Sequence, residues 1–180
     1  NEESCLIGAV DDATSENYYS EFFPSETTMG CMKALKNIIL KKGLFKILYV
    51  DRAGLFGGQK RTDFAQVKRA LNELNIQIIY ANSAEAKGRI ERHWETLQDR
   101  LVPEMRLRNI TSYTAANEYL NSQFLPVEYN KKYAVVPSNL EPGWVTLPQS
   151  INLDEVFCVK HPRVVASDHT IAYEGKIYRI

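Results

Sequence analysis

Two carboxylates near the middle of the chain have the residue type and spacing that metal chemistry requires. Asp51 directly follows a run of strand-type residues at 45–50, and Glu91 lies in a predicted helix after the next predicted strand, at 76–80. Such acids can converge on one divalent cation at one edge of a sheet, as in sites for two-metal phosphoryl transfer. From spacing alone, the alternative is that Asp51 is a turn residue and Glu91 a surface acid paired with Lys87.

The elements that must position these acids follow an alternating pattern of strand and helix. Apolar residues share one face of a predicted helix between the two strands, at Phe64, Val67, Leu71 and Leu74. The helix that contains Glu91 has its own apolar stripe, formed by Ile90, Trp94, Leu97 and Leu101. At about 100° per residue, Glu91 lies beside this stripe, so we expect it at the edge of the core. The alternation predicts parallel strands covered by helices.

The amino-terminal part predicts a β-hairpin followed by a helix. Apolar and aromatic runs at 5–10 and 17–23 flank the turn-type sequence DDATSE. Ser25 or Thr27 can cap the next helix, and Gly43 ends it. Beyond the Glu91 helix, which Pro103 is expected to end or kink, a further helix is predicted at about 112–123.

The sequence changes character from residue 133. The stretch at 133–151 contains three prolines and one glycine and has little periodicity, which predicts an extended linker. Residues 155–180 contain three strand-like runs, and Glu174-Gly175 is suited to a hairpin turn. A sheet this small buries little core alone, so we expect it to pack on the main domain or on a partner chain.

The composition excludes several classes of protein. The chain has 180 residues with 22 basic and 22 acidic side chains, so affinity for nucleic acid must come from local clusters. Cys5, Cys31 and Cys158 are widely spaced, which favours reduced thiols in the cytosol over a disulfide framework or zinc site. No apolar run is long enough to span a membrane. Because the sequence begins at Asn1, we interpret it as a fragment of a longer protein.

Five segments, in order along the chain, resemble one family. They are LIGAVDDATSE, EFFPSETT, YVDRAGLFGG, YANSAEAKGRIER and DHTIAYEGKIY. Together they resemble the catalytic core of DDE transposases and retroviral-type integrases, most closely bacterial insertion-sequence transposases of the ISNCY type. The resemblance implies an α/β fold, an RNase H-like mixed sheet with flanking helices, at 1–132. It further implies a linker at 133–151 and a small, barrel-like, all-β module at 152–180.

The resemblance assigns roles to the two acids. Asp51 and Glu91 match the catalytic residues that hold Mg²⁺ or Mn²⁺, with two ions in the complete site. The family's first catalytic Asp lies on a first core strand that is not found in this sequence, so we expect the chain to be catalytically incomplete. In the family's sheet order, 3-2-1-4-5, that strand is central, and residues 1–180 alone should form no intact five-stranded sheet. Asp11 and Asp12 are less favoured substitutes, since the matching acids make a turn.

Basic residues near the acids are candidates for DNA binding. Arg52, Lys60 and Arg61 lie in or beside a glycine-rich loop after Asp51, where they could bind DNA phosphates. The alternative is that this loop is only a solvated connection. Lys87 matches a family lysine that contacts DNA, and Arg92 is a further candidate. Ordinary ion pairing along the helix is the alternative for both. Gly88 would let a backbone approach closely, either DNA or a neighbouring strand.

The resemblance implies DNA cleavage and strand transfer by a metal-dependent polynucleotidyl transferase. Its partners would be DNA, as element ends and target, and further copies of itself in a homo-oligomer. It would act in the bacterial cytoplasm at the nucleoid, with no membrane partner. Two alternatives stay open: an RNase H-like nuclease, and a non-catalytic module for DNA binding or assembly. On the Glu91 helix, we expect His93 at the surface and Trp94 in the core rather than a catalytic pair.

Overall fold

The computed structural model describes residues 4–50, 61–81 and 84–180. Over these ranges the chain is mixed α/β, with helices packed around small sheets of two strands each. The predicted hairpin is confirmed. Strand β1 (Cys5–Val10) pairs antiparallel with β2 (Asn17–Phe23), and Gly8 lies opposite Ser20.

The outer edge of β2 is closed by side-chain amides rather than by another strand. Asn117 and Asn121 each exchange a pair of hydrogen bonds with the backbone of one β2 residue, Phe22 and Ser20 respectively. A third asparagine, Asn130, does the same at Asn17, with both bonds at 2.9 Å. The amide carries both an acceptor and a donor, so it satisfies the N–H and C=O that an edge strand leaves unpaired.

Helix α1 (Thr28–Lys42) follows the hairpin and has the predicted ends. Of the two candidate caps, Thr27 is the one used, because its hydroxyl accepts from the Gly30 N–H at 3.0 Å. The helix ends at Gly43, whose φ of 111° is a conformation that other residues adopt rarely. Both ends therefore follow from local sequence signals.

The strand predicted at 45–50 is divided in two. Its first part, β3 (Leu44–Phe45), pairs antiparallel with β6 (Trp144–Val145) in the predicted linker. Its second part, β4 (Ile47–Val50), pairs in parallel with β5 (Gln77–Tyr80), as the alternation predicts. Helix α2 (Arg61–Glu73) connects this parallel pair.

The main core lies where α1 and α2 pack against these strands. From the helices it contains Met32, Leu35, Ile39, Val67 and Leu71, and from the β4–β5 pair it receives Leu48 and Ile78. The carboxyl-terminal part of the chain also enters this core through Leu153, Val156 and Phe157. Burial of these side chains holds the parallel strand pair against both helices.

A second core lies under the helices that follow β5. Helix α3 (Ala84–Leu107) continues through Pro103, and α4 (Tyr113–Tyr119) passes directly into a π-helical segment, Leu120–Tyr129, and α5 (Asn130–Tyr133). The helix predicted at 112–123 therefore extends ten residues further, to Tyr133. Widened turns of this kind tolerate a proline such as Pro126, which lacks an N–H. The buried members of this core are Leu97, Leu101, Tyr119, Leu120, Phe124, Leu125 and Tyr129.

The carboxyl-terminal region contains two strands and one short helix, so the prediction of three strands is wrong for its first run. Helix α6 (Leu153–Val156), capped by Asn152, ends within the first residues of that run and buries Leu153 and Val156, and the rest of the run, 157–160, forms no strand. The remaining runs include β7 (Thr170–Tyr173) and β8 (Lys176–Arg179), which pair antiparallel. The predicted turn is confirmed, because Glu174 and Gly175 both have positive φ, as a two-residue hairpin turn requires.

The β1–β2 and β4–β5 pairs remain separate sheets. Across the described ranges, no five-stranded sheet forms, and β1 and β4 are not paired with each other. None of the helices in the described part of the chain is long and apolar enough to cross a membrane.

Candidate active site

The parallel strands β4 and β5 end side by side. In the sequence, Asp51 comes directly after β4, and Glu91 lies in the helix that comes after β5. Val50 and Tyr80 are register partners, and the Ala81 N–H donates to the Val50 carbonyl at 2.7 Å. Asp51 is the next residue after Val50 in the sequence. Three residues after Ala81, α3 begins at Ala84 and carries Glu91. The strand pairing thus brings the segments that lead to the two acids to one edge of the sheet.

Several predicted site residues lie outside the described part of the chain. These are Asp51, Arg52 and Lys60. Arg61 and Lys87 belong to α2 and α3, but their side chains also lie outside what the structure describes. Glu91 and Arg92 are therefore the members of the predicted site whose side chains can be placed.

Glu91 is exposed to solvent rather than lying at the edge of the core. It is the eighth residue of α3, about 10 Å along the helix axis from the first residue. The helix buries Leu97 and Leu101, which confirms those two members of the predicted stripe. Within the described residues, no hydrogen bond or ion pair occupies the Glu91 carboxylate. It is thus an accessible hard oxygen ligand of the kind that Mg²⁺ and Mn²⁺ prefer.

Arg92 is also exposed, and its side chain is partly engaged by its own helix. Its Nε donates to the Gly88 carbonyl at 3.0 Å. A guanidinium has five N–H donors, so this one bond leaves capacity for a phosphate. The backbone of Arg92 is itself an acceptor, because the Thr96 hydroxyl donates to its carbonyl at 2.7 Å.

His93 is buried, so the prediction of a surface position is wrong. Its side chain is 4% exposed and lies between β2 and the π-helical segment. Nε2 lies 3.0 Å from Asn17 Nδ2, and Nδ1 lies 2.6 Å from the Tyr129 hydroxyl. Asn17 and its neighbour Ser20 are fully buried and hydrogen-bonded to each other. This network fixes the helix that carries Glu91 to the hairpin.

The environment of His93 determines its protonation state. Burial lowers the pKa of the imidazole to about 4, so the ring is neutral at pH 7. Because the Asn17 amide nitrogen donates to Nε2, the ring proton lies on Nδ1, facing Tyr129. Sequence reasoning could have found this residue, since His93 is three residues from Ile90 and four from Leu97, on the buried stripe.

Asp11 is engaged in structural contacts. Its Oδ1 accepts from the Ala13 N–H at 2.9 Å, which is the turn role expected from the sequence. Its Oδ2 accepts from Trp144 Nε1 at 3.0 Å and so holds the linker against the hairpin turn. Asp12 is exposed in the same turn. Among the described residues, no three His, Cys, Asp or Glu side chains converge on a point where they could hold a metal ion.

Gly88 lies on α3 three residues before Glu91. Beyond the backbone of its own helix, a Cβ placed there would meet no heavy atom of the described residues within 4 Å, so packing against a described strand does not explain this glycine. We expect Gly88→Ala to stabilise the fold by roughly 0.5–1 kcal/mol, because alanine loses less backbone entropy in a helix. Urea unfolding followed by circular dichroism measures this change. A destabilised variant would show that a neighbour outside the described ranges needs the space.

Comparison with known proteins identifies two relatives that match nearly the whole chain. The chain is 34% identical over 182 residues to "Putative transposase y4bF" of Sinorhizobium fredii. This match covers 94% of the chain and 38% of that protein. The chain is also 27% identical over 179 residues to the transposase for insertion sequence IS1202 of Streptococcus pneumoniae. This match covers 94% of the chain and 37% of that protein. Both relatives are named as transposases.

This similarity supports the transposase resemblance seen in the sequence. The chain spans well under half of the length of these curated relatives. No protein-family model matches the chain. No solved structure matches it either.

Proposed function

We propose that this chain is part of a DDE-type DNA transposase and contributes Asp51 and Glu91 to a divalent-metal site. Similarity to two proteins named as transposases, over 94% of the chain, carries the proposal. The parallel β4–β5 pair supports it, since both acids follow the carboxyl edge of that pair. This strand–helix–strand unit, with α3 after it, would belong to an RNase H-like core.

The chemistry of the donor set fits Mg²⁺ or Mn²⁺. Glu91 offers an exposed carboxylate with no partner in the described structure, and Asp51 would add a second one. Bound ions would supply electrostatic stabilisation of the oxygens that attack and leave during cleavage and joining of DNA. Arg92 and Lys87, on the same helix as Glu91, would bind phosphates of the DNA, together with Arg52, Lys60 and Arg61. Further copies of the chain would assemble on paired DNA ends.

Mn²⁺ binding tests the metal site directly. Electron paramagnetic resonance of free Mn²⁺ gives the affinity of the wild-type chain and of Asp51→Asn and Glu91→Gln. We expect each substitution to weaken Mn²⁺ binding at least about tenfold, a loss of ~1.4 kcal/mol, because a carboxylate ligand is replaced by a weaker amide. Glu95→Gln is the matched control, because Glu95 is exposed one turn further along α3 and carries the same charge. Equal losses in Glu91→Gln and Glu95→Gln would refute the site.

The reaction class is tested on labelled DNA with the full-length natural protein that contains this segment. A transposase gives joined DNA strands in Mn²⁺ or Mg²⁺, and Glu91→Gln abolishes them. Cleaved but never joined DNA would indicate an RNase H-like nuclease instead. DNA affinity that is indifferent to Mg²⁺ and unchanged in Asp51→Asn, with no product, would indicate a non-catalytic assembly module.

A further inference from the structure

A second candidate site lies at the other end of the chain, between the β7–β8 hairpin and the segment before it. The segment 158–163, here called the strap, runs along one face of the hairpin. Together they form an open cleft of about 360 Å³. The cleft is lined by Val159, His161, Arg163, Ile171, Tyr173 and Tyr178. Its volume is at the lower end of the range of roughly 300–1,000 Å³ for ligand pockets.

The strap is held in place by α2 rather than by the hairpin alone. Gln66 exchanges two hydrogen bonds with the backbone of Lys160, at 2.8 and 3.1 Å. Arg69 donates to the carbonyls of Val156 and Cys158, and the Lys160 ammonium pairs with Glu73 at 2.9 Å. The position of the strap relative to the main core is therefore fixed by side chains of one helix.

The strand register decides which hairpin residues face the strap. Ile171 pairs with Tyr178 and Tyr173 pairs with Lys176, and in antiparallel strands such partners share a face. The alternate pairs, which include Arg179 with Thr170, lie on the opposite face. The hairpin thus presents Ile171, Tyr173 and Tyr178 to the cleft and Arg179 away from it.

The side chains in the cleft combine rings with positive charge. The Arg163 guanidinium lies 5.0 Å from the centre of the Tyr173 ring, and the His161 ring lies 5.5 Å from it. Tyr178 remains 45% exposed, so its ring has a surface free for stacking. One carboxylate is near, since a hydrogen bond to Glu174 raises the pKa of the Tyr173 hydroxyl. Residues 158–180 contain four basic and two acidic side chains, a net charge of +2 in a chain whose total is zero.

We propose that this cleft binds an unpaired nucleotide strand, with one base stacked on Tyr178 and a neighbouring phosphate on Arg163. Aromatic rings beside basic groups are the pattern by which proteins hold single-stranded nucleic acid without reading its sequence. The rings and the charge lie on one side of the hairpin, next to a strap anchored on α2. The inference rests on the proposed function insofar as the strand belongs to the DNA substrate.

The test measures fluorescence anisotropy of a labelled oligothymidylate with the whole chain. We expect Tyr178→Leu to weaken binding about fivefold or more, the effect of removing one base–aromatic stack, and Tyr178→Phe to retain it. Arg163→Gln should lower the slope of log affinity against log salt by about 0.7, the value for one lost phosphate contact. Arg179→Gln makes the same charge change on the opposite face and should leave both quantities near wild type.

Each other outcome contradicts the proposal. Equal losses in Arg163→Gln and Arg179→Gln would mean attraction by net charge alone, and an unchanged Tyr178→Leu would exclude stacking. A wild-type preference for duplex DNA would exclude an unpaired strand. Tyr178→Leu separates this inference from the proposed function, because it should weaken oligothymidylate binding without changing Mn²⁺ affinity. Failure of either property alone would refute only the corresponding proposal.

Discussion

Gly8→Ala is expected to destabilise the protein by about 3 kcal/mol, near the upper end of the cost of overpacking. A Cβ at this position would lie 1.9 Å from Ser20 Oγ and 2.7 Å from Ser20 Cβ. Ser20 cannot rotate away freely, because it is fully buried and its hydroxyl is bonded to Asn17. The added methyl group must therefore separate the two hairpin strands or break this network. Urea unfolding followed by circular dichroism measures the loss.

Gly88→Ala is the matched control for this prediction. It adds the same methyl group in a helix, where no described atom beyond the helix's own backbone lies within 4 Å of the added Cβ, so it introduces no clash and should be slightly stabilising. The double variant Gly8→Ala/Ser20→Gly should lose less stability than the sum of the single losses, because it removes the clashing Oγ and Cβ. Additive losses, or a Gly8→Ala protein as stable as Gly88→Ala, would contradict the geometry described for this hairpin.

Acidification below pH 6.5 is expected to destabilise the protein through His93. Burial lowers the pKa of His93 to about 4 in the folded state, whereas the unfolded chain has the ordinary value of about 6.5. The unfolded state then binds more protons between these values, so stability falls as the pH falls through this window. The expected loss is on the order of 3 kcal/mol by pH 4, with the His93 contribution constant above about pH 7. Urea unfolding between pH 4 and 8 in EDTA measures it.

A variant that cannot titrate isolates this effect. His93→Gln keeps a donor and an acceptor next to Asn17 and Tyr129 but has no ionisable ring. It should be less stable at pH 7, and its stability should depend less on pH than that of the wild type. His161 and His169 are exposed and are identical in both proteins, so they do not distinguish the two. The same steep loss of stability in His93→Gln would assign the acid sensitivity to other groups.

Features specified by neighbouring residues were predictable from the sequence. The hairpin at 5–23, a helix cap at Ser25 or Thr27, the end of α1 at Gly43 and the Glu174-Gly175 turn each depend on residues a few positions apart. The parallel pairing of β4 and β5 followed from the alternation of strand and helix patterns, which is also a regional signal.

Features specified by distant residues were not predictable. The strand expected at 45–50 divides because Leu44 and Phe45 pair with a segment about one hundred residues later. Asn117 and Asn130 look like surface residues until their partners on β2, 95 and 113 positions away, are known. The sequence predicts His93 at the surface, whereas hydrogen bonds with Asn17 and Tyr129 satisfy its ring inside the core. At the candidate site, residue spacing correctly placed Glu91 on its helix. It did not predict that the Glu91 side chain is exposed to solvent.

The three asparagines that bond to the backbone of β2, Asn117, Asn121 and Asn130, also make this contact sensitive to deamidation. Hydrolysis of an asparagine amide leaves an aspartate, which has acceptors but no N–H donor when ionised. At Asn121 the amide nitrogen now donates to the Ser20 carbonyl at 2.7 Å, so the damaged residue would present oxygen to oxygen there. The outer edge of β2 would lose one of the hydrogen bonds that attach the helical segment to it. Slow deamidation during storage would therefore loosen the contact between β2 and the helices before the rest of the fold is affected.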